Sequence, residues 1–313
     1  MSTALEPAPK PARSLTGFYV AICVMVVLGL FGGWFWKTWT VWWFDADEAQ
    51  RRQAEAAARL GLPVEKVVDL GDGVKLELVL IPAGRFRMGS PADKYRGDPE
   101  PLHWVVLTRP FYIGKHEVTQ EAWEKVMGNN PSRCKGAKNP VERVSWDDCQ
   151  EFLKKLNALT PTPLPRGEGQ GVRARLPTEA EWEWACRAGT KTRFCSGDDD
   201  GGLAAYAWCE DNSGSMIHPV GAKKPNAWGL CDMHGNVPEW CGDWYGDDYY
   251  AKSPRYDPTG PAAGSCRVLR GGSWFEPPGQ PTASWYRRPL PAANKGTLHV
   301  GSGLRVVVVP AGP

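Results

Sequence analysis

The first strong pattern along the chain is an absence of alternation. Residues 15–36, LTGFYVAICVMVVLGLFGGWFW, are uncharged and mostly apolar, a run long enough to cross a hydrocarbon core of roughly 30 Å as a helix. Trp34, Trp36, Trp39, Trp42 and Trp43 crowd its far end, where indole rings suit the boundary between lipid and water. The pattern predicts a transmembrane helix with an aromatic belt over residues 15–44, behind a tail of residues 1–14. The next stretch, DADEAQRRQAEAAARLG (45–61), is charged and rich in alanine. Asp45 or Asp47 can open a helix there and Gly61 can close it, which predicts a stalk over residues 45–62.

Beyond residue 62 the periods become those of a folded body. Val74, Leu76, Leu78 and Leu80 are interleaved with Lys75, Glu77 and Val79, the period of a strand with one face buried. Gly84 marks the turn after it. Three short helices are predicted from their caps. Thr119 opens the first, which presents Trp123, Val126 and Met127 before Gly128. Ser145 and Asp148 frame the second, with Trp146, Cys149, Phe152, Leu153 and Leu156 on one face. Thr178 and Glu181 form a fuller capping box for the third, and Gly189 is its expected stop. Prolines and glycines in PTPLPRGEGQGV (161–172) mark an exposed loop. No helical period survives past residue 190, and LRVVVV (304–309) reads as a central strand. The class is α+β, in one domain over residues 63–313.

Composition sharpens this picture. Gly 35, Pro 28 and Trp 16 are heavy loads; they predict a loop-rich fold whose core is largely aromatic. A net charge of +2 with the signs mixed throughout leaves no electrostatic footprint for nucleic acid. Lys10 and Arg13 precede the apolar run, which predicts a single-pass membrane protein with a cytoplasmic N-terminus and an exported body. The run is long for a cleaved signal peptide and lacks a small-x-small site before the belt, so the anchor is expected to be retained. Of nine cysteines, Cys23 lies within the span. The other eight fit either disulfides of an oxidising compartment or buried thiols acting as small hydrophobes, and their spacing does not choose between these.

Candidate chemistry concentrates in CDMHGNVPEWCGDWYG (231–246). Cys231, His234 and Cys241 suggest zinc, yet Cys241 has no partner two to four residues away, and a closed tetrahedral site needs paired spacings. A hard cation suits the stretch better, because Asp232 and Glu239 offer carboxylate oxygens and the turn at Gly235 and Asn236 can offer carbonyls. A capped turn over Trp240 and Trp244 fits equally well on spacing alone.

The segment KKPNAWGLCDMHGNVPEW (223–240) resembles the signature of the formylglycine-generating enzyme family, the sulfatase-modifying factors. Further motifs occur in the family's order: LVLIPAGRFRMGS (78–90), HEVTQEAWEKVMGNNPS (116–132), NPVERVSWDDCQEF (139–152), RLPTEAEWEWACRAGT (175–190) and RVLRGGSW (267–274). The likeness covers roughly residues 74 to 309. It implies a variant of the C-type lectin fold with little regular secondary structure. It also implies a calcium ion held by Asp232 and Glu239 side chains with the carbonyls of Gly235 and Val237. A second calcium site of the family needs an asparagine where this chain has Ala207, beside Trp208.

The founding reaction of that family oxidises a cysteine to formylglycine with copper and oxygen, using two cysteines just after the GGSW motif. Here no cysteine follows Cys266. Glu276 stands where the first would be, Ala283 or Ser284 near the second, and Ser273 matches a residue close to the catalytic centre. A carboxylate is a hard, poor ligand for copper(I), so copper and formylglycine generation are not expected, although the oxidase remains the alternative to a binding role. The related iron-dependent sulfoxide synthases need a histidine triad, whereas His103, His116, His218, His234 and His299 are scattered. Some family members that lack the cysteines display a variable ligand-binding surface after RGGSW. In this chain that implies contacts from Trp285, Tyr286, Arg287 and Arg288, as aromatic and arginine side chains suit binding hot spots. The expected function is therefore a membrane-anchored, calcium-stabilised recognition or scaffolding module, with the bilayer and a protein or small ligand as partners.

Overall fold

A computed structural model describes residues 43–90, 101–159, 174–296 and 301–309. The expected membrane run and most of its belt lie outside these residues, as does the loop at 161–172. Among the described residues no helix is long and apolar enough to cross a membrane.

Among the described residues, three antiparallel sheets and six α-helices make up the body. The largest sheet combines β1 (Glu65–Gly71), β2 (Val74–Ile81), β5 (Phe111–Gly114), β6 (Ala174–Arg175) and β10 (Val307–Val308), in the order β1-β2-β5-β10-β6. Strands β3 (Gly84–Met88) and β4 (His103–Leu107) pair as a ribbon, and β7 (Glu239–Trp244), β8 (Cys266–Arg270) and β9 (Arg287–Pro291) form the third sheet. The strand expected at 304–309 shrinks to two residues, yet it sits inside the main sheet between β5 and β6.

Local chemistry explains the helices. Thr119 accepts from Ala122 N–H to open α2 (Gln120–Met127), and Gly128 closes it in the left-handed region. Ser145 and Asp148 bond reciprocally at the start of α3 (Trp146–Leu159). Thr178 and Glu181 form the full capping box of α4 (Glu179–Arg187), satisfying two orphan N–H groups at once. The stop falls one residue early, at Ala188. Gly189 serves a different end: a Cβ there would meet the Phe44 ring at 2.1 Å. Two one-turn helices, α5 (Asp200–Leu203) and α6 (Tyr249–Lys252), escaped the periodic reading because a single turn carries no period.

The expected stalk is not a stalk. Helix α1 (Ala46–Leu60) starts at Asp45 and stops at Gly61 as its caps predict, but one face is buried in the body. Gln53 Nε2 donates to the carbonyls of Leu80 and Trp228, and Trp228 Nε1 donates to Ala49 O. Phe44, assigned to the lipid belt by its neighbours, is buried against Trp184 and Trp228 instead. Small alanines on that face permit the approach, and indole area rewards it.

Tryptophans then tie the loops down. Trp123 stacks on Phe152 at 5.0 Å between α2 and α3. Trp184, Trp240 and Trp146 donate to the carbonyls of Pro82, Val144 and Cys241, each at 3.0 Å.

Helix α4 is buried on nearly every side and carries its charges inward. Glu183 is paired with Arg187 and Arg270, and Glu179 accepts from Arg287 Nε at 2.8 Å and lies 3.3 Å from Arg270 Nε. At the end of this ladder Asp243 Oδ2 accepts from Glu179 N–H at 2.8 Å. Burial, then the Glu179 carboxylate, pushes the Asp243 carboxyl up to about 8. The folded state therefore holds this proton more tightly than the unfolded chain, where an aspartate titrates near about 4. Its contribution to stability is full at low pH and is lost as pH rises through about 8. Urea unfolding from pH 5 to 8.5 should show the protein losing stability relative to Asp243→Asn, whose amide keeps the acceptor but cannot ionise. Parallel curves for the two proteins would refute the assignment.

Candidate functional site

The turn at 231–240 is built by three left-handed residues, Asp232, Gly235 and Asn236, with φ of 58°, 91° and 55°. Gly235 is obligatory: a Cβ there would stand 2.0 Å from Trp208 O. Asn236 is the hub. Its N–H donates to Trp208 O, its amide to Glu117 Oε2 and His218 O, and its Oδ1 accepts from His218 N–H. Val237 N–H donates to Glu117 Oε1. Pro238, which has no N–H to give, uses its carbonyl to accept from Gly303.

This turn gathers buried charge. Arg305, fully buried, donates through Nε and Nη2 to both oxygens of Glu239 at 2.8–3.1 Å, and to the carbonyls of Gly114 and Cys231. Trp182 Nε1 donates to Glu239 Oε2 at 2.7 Å. Glu117 and Asp232 complete a group of three buried carboxylates around one guanidinium. Burial, then Asp232 and Glu239, holds the Glu117 carboxyl well above its usual range. Burial likewise raises Asp232 to about 6, against the Gly221 N–H that bonds its Oδ2. Asp232 Oδ1 is buried with no hydrogen-bond partner.

Tested against these contacts, the four expected calcium ligands divide. Asp232 fits a cation, since a bare buried carboxylate oxygen demands one. Glu239 does not, because Arg305 and Trp182 already occupy its lone pairs. Gly235 and Val237 commit their N–H groups to Gly271 O and Glu117. Among the described residues no three His, Cys, Asp or Glu side chains are grouped to hold a metal.

The hydrogen bonds of His234 bear on the zinc reading. Its Nδ1 lies 2.7 Å from Thr282 O, which can only accept, so Nδ1 carries the proton and Nε2 accepts from Cys195 N–H at 3.1 Å. Both ring nitrogens are committed, and burial pulls the imidazole down to about 4. At the position of the family's second calcium site, Ala207 O accepts from Asn212 and Trp208 O from Asn236.

The segment after RGGSW forms a second cluster. Ser273, fully buried, donates to Glu276 Oε2 at 3.2 Å, and Arg288 Nη2 pairs with Glu276 Oε1 at 2.7 Å. Burial raises the Glu276 carboxyl while Arg288 opposes the shift. The four expected contact residues also divide. Trp285 packs with Phe194, Leu203, Ala207 and Ala283 in a small core. Arg287 is buried, bonded to Glu179 and lying over Tyr245 and Tyr250. Tyr286 and Arg288 are half-buried. The exposed aromatic here is Phe275, 47 % accessible and edge-on to Trp274. It sits beside Glu276 in the same segment, so its position in the motif was the available signal.

The eight described cysteines are free thiols. Burial pushes Cys186 up to about 12 and Cys231 to about 11, and holds Cys149 and Cys241 well above the usual thiol range. Such thiols are inert.

Comparison with known proteins agrees with this geometry. Residues 72–309 match the family described as sulfatase-modifying factor enzyme 1-like domain. The formylglycine-generating enzyme of Streptomyces coelicolor is 32% identical, over 63% of this chain and 78% of that enzyme. The chaperone protein LppX of Paenibacillus barcinonensis is 30% identical with the same coverage. The serine/threonine-protein kinase pkn1 of Chlamydia caviae is 35% identical, but the chain spans only 33% of that kinase. Among solved structures, Treponema denticola variable protein 1 shares 34% identity and a TM-score of 0.67, over 79% of this chain and 100% of that one. PvdO from Pseudomonas aeruginosa shares 28% identity and a TM-score of 0.66, over 78% and 98%.

Removing the guanidinium should be costly wherever the carboxylates stay behind. Arg305→Met is expected to lower the unfolding free energy by about 3–5 kcal/mol, as breaking a buried pair leaves an uncompensated charge. The double variant Arg305→Met, Glu239→Met should recover part of that loss in urea titrations. A single variant within about 0.5 kcal/mol of the parent would refute the role of Arg305.

Proposed function

The chain belongs to the family of sulfatase-modifying factor enzyme 1-like domains, and from that premise we propose that it is a non-catalytic recognition or scaffolding module of the cell envelope. The observation that carries this reading is Glu276, locked between Ser273 and Arg288 in a chain with no cysteine beyond Cys266. A soft cuprous ion needs thiolates, and an ion-paired carboxylate beside a buried serine supplies none. Cys149 and Cys241 are sealed in the core and held protonated by burial. Relatives named as a chaperone, a kinase and a variable protein support a fold put to uses other than oxidation. The exposed Phe275, with Tyr286 and Arg288, offers the recognition surface. The apolar run at 15–36 supports an anchor that holds the body at a membrane, its N-terminus on the cytoplasmic side.

One calcium ion belongs to this reading, with Asp232 as its carboxylate and the carbonyls of Gly235 and Val237 as neutral oxygens. Three buried carboxylates face one guanidinium, and a divalent cation offsets the excess negative charge that burial penalises.

Two measurements test the proposal. With cuprous ion, oxygen and a cysteine-bearing sulfatase peptide, the protein should consume no oxygen above the buffer rate and yield no aldehyde; aldehyde formation would restore the oxidase. Calcium added after chelator treatment should raise the melting temperature of the protein by several degrees and leave Asp232→Asn unmoved. Equal response of both proteins, or of neither, would assign the charge balance to protons on Glu117 and Asp232.

A further inference from the structure

A cavity of about 630 Å³ lies away from the 271–288 segment, lined by parts of α3, α4, β7 and the loops around residues 108 and 258. Its volume is within the range of small-molecule sites. Leu107, Phe111, Trp146 and Leu176 give it apolar walls. Trp146 is held in place by its Nε1 bond to Cys241 O and by Arg267, which covers one ring face at 3.8 Å.

The charged groups on the lining are unequally served. Arg175 and Glu181 satisfy each other through two bonds of 2.6 Å. Asp257 accepts from both the N–H and the hydroxyl of Thr108. Asp243 is only 3% exposed, yet it has a single hydrogen bond, from Glu179 N–H to Oδ2, and no ion pair among the described residues. Its Oδ1 has no hydrogen bond among the described residues and lies toward Gly260, and the residue lines the cavity. Arg287, Arg175 and Arg267 act on Asp243 only at a distance, none is hydrogen-bonded to it among the described residues, and the proton its carboxyl keeps up to about 8 is one that a ligand cation can replace.

We propose that this cavity binds a protonated amine carried on an apolar, preferably aromatic, body, with the ammonium on Asp243 Oδ1 and the body against Trp146 and Phe111. The chemistry is that of ammonium recognition elsewhere: a buried carboxylate supplies direction and charge-assisted hydrogen bonds, and aromatic walls supply area. Arg109 is the one lining cation that is exposed and lacks an acidic partner among the described residues. It favours the rival, an organic acid. The inference stands whether or not the family's copper chemistry is absent, since the cavity shares no residue with the Ser273–Glu276–Arg288 cluster.

Calorimetric titration of the full chain with three indoles tests it: tryptamine, its uncharged N-acetyl derivative, and indole-3-propionate. Tryptamine should bind at least about tenfold more tightly than either of the others. Asp243→Asn should abolish that preference. Gln150→Arg, on the half-exposed face of α3, should weaken tryptamine by a similar factor, because it sets a competing cation on the lining without disturbing the ladder. Equal binding of the acetylated compound, preference for the propionate, or no binding of tryptamine at millimolar concentration would each overturn the proposal.

Discussion

Charge that is denied water governs this fold. Arg187, Arg270 and Arg305 are buried to the last few per cent, and a guanidinium cannot shed its charge. Each must therefore be met by carboxylates and carbonyls from distant parts of the chain. Arg270 alone draws on Glu179 and Glu183 of α4 and on the carbonyls of Ser284 and Tyr286. Arg305 joins the 231–240 turn to the end of β5. With sheets of two, three and five short strands, these bonds, more than ladder hydrogen bonds, fix where the loops lie.

The indoles play the complementary part. Each provides a large apolar surface and one donor, so a single side chain can both fill space and satisfy a loop carbonyl. Trp182 goes further and spends its N–H on Glu239, the same carboxylate that Arg305 holds. The apolar core and the ionic network thus meet at one side chain. The cost of burying that carboxylate is offset by donors from two side chains, Trp182 and Arg305, which tie the 231–240 turn to α4 and to the main sheet.

What could be read from the residues in order was what depends on near neighbours. The caps at Thr119, Ser145 and Thr178 act over three residues, and their hydrogen bonds form as the spacing implies. The β2 alternation holds from Val74 to Leu78, beyond which Val79, Leu80 and Ile81 are all buried because β2 lies inside the sheet between β1 and β5. Pairings across the chain were not legible: Glu179 meets Arg287 and Glu183 meets Arg270 at separations of 108 and 87 residues. Spacing cannot reveal such partners, which is why Arg287 looked like a surface residue and Glu239 like an open ligand. Phe44 misled for the same reason: its neighbours are lipid-like, but its contacts come from residues 184–228. The family motifs, being long and ordered, carried more about the fold than any local period did.

The distribution of sulfur has a practical meaning. Cys149, Cys186, Cys209, Cys231 and Cys241 are sealed inside, leaving Cys134 at the surface and Cys195 and Cys266 partly covered. Among the described residues no two cysteines are crosslinked, and the sealed thiols Cys149 and Cys241, held protonated by burial, are out of reach of peroxide. A maleimide reagent would find Cys134 first, on the loop after α2, which makes that position a natural handle for a label that leaves the interior untouched.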